Sequence, residues 1–76
     1  MTARDYRPID CGVHDRIESW ALRRTRVTLR FTDAEGGERE QAGRIVDVFA
    51  RDGAEFLVMD AGTEVRLDRL RSIEAL

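Results

Sequence analysis

From Val27 to Thr32 the chain alternates apolar and polar residues without a fault: Val-Thr-Leu-Arg-Phe-Thr. A period of two places Val27, Leu29 and Phe31 on one face of a β-strand and the polar residues on the other. Such a half-buried strand is not stable alone. It needs partner strands to take its backbone hydrogen bonds and a second layer to cover its apolar face. The rest of the chain is expected to supply both.

The partners follow in order. Asp33 to Glu38 contains Gly36 and Gly37 and reads as a turn, so the next strand returns antiparallel as a hairpin. Arg39 to Ala50 is expected to be one long curved strand. It carries Ile45, Val46, Val48 and Phe49, with Gly43 placed where a bulge is needed. Arg51-Asp52-Gly53 is a second tight turn, and Glu55 to Asp60 is apolar enough for a central strand. Ala61-Gly62 turns again into Thr63 to Leu67, where Val65 and Leu67 face inward. In the tail, Leu70 and Ile73 suit a helical turn and Arg71 to Leu76 suits a strand. A tight turn over Leu67 to Leu70 followed by a strand is the favoured reading.

The covering layer precedes the strands. Val13, Ile17, Trp20 and Ala21 recur at i, i+4, i+7 and i+8, one apolar stripe of an α-helix that ends near Leu22. Arg23, Arg24 and Arg26 then stand at the negative end of the helix dipole. Asp15 and Glu18 project roughly opposite the stripe. Their spacing is that of an N-terminal capping pair or a plainly solvated face, with Asp10 as an alternative N-cap, and a carboxylate face offered to a partner is the lesser alternative. Ahead of the helix, Tyr6-Arg7-Pro8-Ile9 is held extended by the chain's one proline, and Tyr6 is placed to pack on the core or to present its ring at an interface. The whole is mainly β with one N-terminal helix. It is read as a single domain over 1–76, with lead-in and helix in 1–22 and about five bent antiparallel strands in 27–76 forming a small partial barrel.

Composition narrows the function classes. A chain of 76 residues, 42% hydrophobic and 37% charged, is a small globular domain with a modest core and no room for a deep catalytic pocket. All 13 basic residues are arginine, yet the net charge is −2, which disfavours direct nucleic-acid binding by charge alone. One cysteine, Cys11, allows no internal disulfide and reads as a small buried residue. The first residues hold no apolar signal core, and no run approaches the ~18 apolar residues of a membrane span, so cytoplasmic residence is expected without a membrane partner.

No set of residues in the chain is spaced for catalysis. His14 is the one histidine and Cys11 the one cysteine, too few for a metal set, and His14 reads as a surface residue of the first helical turn. Carboxylates fall in every turn, and no glycine pattern matches a phosphate loop. The three phenylalanines sit at apolar strand positions that core packing explains. No enzyme, metal or cofactor is expected.

Tyr6, Pro8, Ile9, Cys11, Asp15 and Glu18 together resemble the opening motif of the Rho-binding antiterminator (Rof) family of bacteria. The likeness continues in family order through Val27-Thr-Leu-Arg-Phe, Glu55-Phe-Leu and Arg66-Leu-Asp. It implies an Sm-like fold, a helix before a bent five-stranded sheet. It further implies a protein that binds the RNA-binding N-terminal domain of the hexameric termination factor Rho and blocks RNA loading. The family's contact surface lies on the N-terminal segment and helix. Its acidic residues match Asp15 and Glu18, with Tyr6 and Asp10 in support. At Gly12 and Val13 the chain departs from the polar or acidic residues of the family pattern, and Asp10 is the carboxylate available to compensate. The alternative function is an Sm-like module acting directly on single-stranded RNA, motivated by the arginine cluster at 23–26 and the barrel pattern.

Overall fold

A computed structural model describes residues 9–76. Helix α1 runs over Cys11–Arg23, followed by strands β1 Arg26–Thr32, β2 Glu38–Arg51, β3 Ala54–Met59 and β4 Glu64–Arg66. A single 3-10 turn at Leu67–Arg69 leads into β5 Leu70–Ala75. The five strands form one antiparallel sheet in the order β4-β3-β2-β1-β5. The expected class is therefore found, mainly β behind one helix. The sheet stays open, with β4 and β5 as its two edges.

β2 is the long strand that serves both halves of the sheet. Its first part, from Glu38 to Arg44, pairs with β1, and its second part, from Ile45 to Arg51, pairs with β3. The sequence explains the change between them. Ile45 and Val48 are both apolar and belong to the core side, but an interval of three cannot keep two residues on one face of a regular strand. One inserted residue restores the parity. The register shifts between Ile45 and Asp47, so Ile45 faces Met59, Val48 faces Leu57, and Val46 is left without a partner. The bulge thus lies at Val46, not at Gly43 as the sequence suggested. Gly43 answers a different need, close approach: a Cβ there would stand 2.6 Å from Asp60 Oδ1.

The β2–β3 hairpin closes through Asp52 and Gly53, with φ of 52° and 82°. Two consecutive positive values give a tight turn whose twist matches that of the flanking strands, and Asp-Gly is a preferred pair for it. At the β1–β2 hairpin the Asp33 carboxylate adds to the backbone bonds of the turn, accepting from the amides of Glu35 at 3.0 Å and Gly37 at 2.8 Å. Arg39 Nε donates to its second oxygen at 3.0 Å.

Ile17, Val27, Leu29, Phe31, Ile45, Leu57, Met59, Val65 and Leu67 form one buried cluster, with Val13, Trp20 and Ala21 packed against it. The apolar stripe of α1 therefore lies on the sheet. Burying a residue such as Ile17 contributes about 2–3 kcal/mol, so this single contact layer supplies much of what a domain of this size has. Phe49 and Phe56 depart from expectation. They are opposite one another across β2 and β3 and stack at 5.3 Å outside that cluster, with the Arg51 guanidinium 4.9 Å and 5.4 Å from their ring centroids. Only Phe31 of the three phenylalanines is a core residue.

Candidate functional site

The outward face of α1 is built from its first turn. Asp10 is the N-cap, its carboxylate accepting from the Gly12 amide at 3.0 Å. That bond satisfies a donor that helix geometry leaves without an internal partner. Of the three candidate carboxylates, Asp10 therefore carries the cap. Asp15 and Glu18 lie further along, both exposed. Among the described residues the carboxylate of Asp15 has no hydrogen-bond or ion-pair partner. Tyr6 lies outside the described residues, as do Arg7 and Pro8, while Ile9 at the end of that lead-in packs against the core.

At the C-terminal end Arg24 closes the helix in the left-handed conformation, φ 55°, and the amide of Thr25 donates to the Trp20 carbonyl at 3.0 Å. A non-glycine residue is disfavoured there by about 1–2 kcal/mol. Arg44 Nε donates to the Arg24 carbonyl at 3.1 Å and ties the cap to β2. Arg23 stands in the last turn, where the dipole favours it.

Cys11 is exposed, correcting the expectation of burial. The reason is angular. At about 100° per residue Cys11 shares its side of α1 with Asp15 and Glu18, away from Val13 and Ile17.

His14 is the residue whose role the sequence least reveals. Its side chain is only 24% exposed, with Nε2 2.8 Å from Glu55 Oε2 on β3 and Nδ1 3.3 Å from Glu18 Oε1. The hydrogen bond to Glu55 raises the imidazole above its ordinary value of 6.5, against an opposing effect of burial, and the charges of Glu55 and Glu18 add to the rise. Donor atoms of His14, Asp15 and Glu18 come within 4.8 Å of one another. Three polar side chains on one helical turn reach that spacing without an ion, and both ring nitrogens already face carboxylates.

Two grooves mark the surface. One, of about 560 Å³, has Phe31, Phe56 and Val65 among its lining and Arg39, Arg66 and Arg69 beside them. Each of those arginines is engaged: Arg39 with Asp33, Arg66 with Asp68 at 2.8 Å through two nitrogens, and Arg69 with the Asp33 carbonyl at 3.2 Å. The other, of about 460 Å³, joins the end of α1 to β2 and is lined by Ala21, Leu22, Arg24, Arg44, Ile45, Val46 and Asp60. No helix among the described residues is long and apolar enough to cross a membrane.

In comparisons with known protein families, with characterised proteins and with solved structures, nothing matches this chain.

Proposed function

We propose that this protein inhibits Rho-dependent transcription termination by docking α1 on the RNA-binding N-terminal domain of Rho and blocking RNA loading. The observation that carries the reading is the division of labour among the carboxylates of α1. Asp10 caps the helix, so Asp15 and Glu18 are not needed for capping, yet both stand exposed on the outward face. The resemblance of Tyr6, Pro8, Ile9, Cys11, Asp15 and Glu18 to the Rof motif supplies the partner.

The physical logic is competition for a cationic surface. A site that loads RNA attracts phosphates, and a rigid helix bearing carboxylates meets the same positive potential and excludes them. The test is alanine at both Asp15 and Glu18. If they pair with desolvated cations, each truncation costs about 2–5 kcal/mol of binding, and at an exposed rim about 0–1 kcal/mol. Inhibition of Rho that survives the double substitution removes these residues from the mechanism.

A second reading, direct binding of single-stranded RNA, is favoured by the Phe49–Phe56 stack with Arg51 over both rings, since aromatic and guanidinium faces are what unpaired bases stack on. The net charge of −2 opposes it. RNA binding at low salt without Rho, with a steep salt slope, supports this reading, and none at low salt discards it.

A further inference from the structure

The carboxylates assigned to Rho lie on a longer stripe. Cys11, Asp15, Glu18 and Leu22 recur at i, i+4, i+7 and i+11 along α1, within one narrow arc of the helix, and all are exposed. Leu22 is 86% exposed and ends the stripe beside the second groove. Across that groove stands Val46, 59% exposed, turned out by the bulge that brings Ile45 and Val48 to the core side. A single exposed leucine on a protein surface needs no explanation. Two exposed apolar residues meeting over one groove, in line with two exposed carboxylates, form a bipartite surface.

We propose that Leu22 and Val46 are the apolar anchor of the docking surface whose polar half is Asp15 and Glu18. The occupant is a protein surface that sets basic side chains beside one protruding apolar side chain. The inference rests on the Rho reading above, so that surface is on the N-terminal domain of Rho. Charge complementarity favours a protein over a nucleic acid: Asp15 and Glu18 repel phosphates, and the arginines that line the groove, Arg24 and Arg44, share that lining with the carboxylate of Asp60. Protein interfaces concentrate their binding energy in a few apolar anchors, while neighbouring charges steer approach and fix orientation. The groove supplies the recess for such an anchor, floored by Ala21 and Ile45. Its rim is held in place by the bond from Arg44 to the Arg24 carbonyl.

The test is equilibrium binding of the full chain to Rho across a salt series, for the unaltered protein, Leu22→Ser with Val46→Thr, and Asp15→Asn with Glu18→Gln. A milder Leu22→Ala variant and thermal melts of each protein separate lost binding from lost folding. The apolar pair should weaken Rho binding about tenfold or more and keep the salt slope, Leu22→Ala should weaken it several-fold, and the amide pair should flatten the slope. Near-native affinity of the folded apolar variants, beside an impaired amide variant, overturns this inference and leaves the Rho reading standing. Loss of self-association in sedimentation with Rho binding intact also overturns it, reassigning the groove to a second copy of the chain. An unaltered protein that does not bind Rho overturns both.

Discussion

His14 of α1 and Glu55 of β3, 41 residues apart in sequence, meet through a 2.8 Å contact between Nε2 and a carboxylate oxygen. The contact joins the helix to the sheet beneath it. On the other side of the ring Nδ1 faces Glu18, so the imidazole ring is held between two carboxylates, one structural and one on the proposed docking face.

This contact makes stability depend on pH in a definite direction. The folded protein raises the His14 value above 6.5, so it binds that proton more tightly than the unfolded chain does. The contribution is fully present below the unfolded value and is lost as pH rises through the folded one. Replacing His14 with Gln should cost about 1 kcal/mol at pH 5.5, the scale of a charge-assisted hydrogen bond discounted for partial exposure, and markedly less at pH 8.5. Urea melts of both proteins at the two pH values check this. An equal deficit at both would mean that the ring matters by packing alone.

Asp33 has the opposite sign. Its bonds from Arg39 Nε and from the amides of Gly37 and Glu35 hold the carboxyl below its ordinary value, so its contribution is present above that value and is lost as pH falls through the folded one. Asp33→Asn should lower the melting temperature at pH 6 and leave it close to that of the unaltered protein at pH 2. A deficit that persists in acid would show that the shape of the turn, not its charge, is what the residue supplies.

The helix is held to the sheet chiefly by Ile17, which is fully buried. Ile17→Ala should destabilise by about 2–4 kcal/mol, a large share of the roughly 5 kcal/mol expected for a domain this small. Chemical denaturation monitored at Trp20, which packs against the same cluster, reports it. A loss below about 1 kcal/mol would mean that α1 contributes little to folding.

Local rules carried the architecture. The stripe Val13, Ile17, Trp20 and Ala21 located the helix and its buried side, the alternation at Val27 to Thr32 located β1, and Asp52-Gly53 located a hairpin turn. What failed was parity in β2. Ile45, Val46, Val48 and Phe49 cannot all lie on one face, and only pairing with β3 decides which residue is extruded. That choice exposes Val46 and carries Phe49 onto the outer stack with Phe56. The exposure of Cys11 was within reach, since it stands four residues before Asp15 on the same helical side. Of the candidate site, the placement of Asp15 and Glu18 on the outward face was legible from spacing. The His14–Glu55 contact was not, because no local pattern links a helix residue to a strand 41 positions away.

The central claim is that α1 occupies a surface where Rho loads RNA. Equilibrium binding of this protein to Rho from the same organism, with labelled single-stranded RNA as competitor, tests it most directly. The account predicts mutual exclusion: rising protein displaces RNA from Rho, and the protein with alanine at Asp15 and Glu18 displaces it far less well. Rho holding protein and RNA together, or RNA binding by this protein while Rho is ignored, would contradict it.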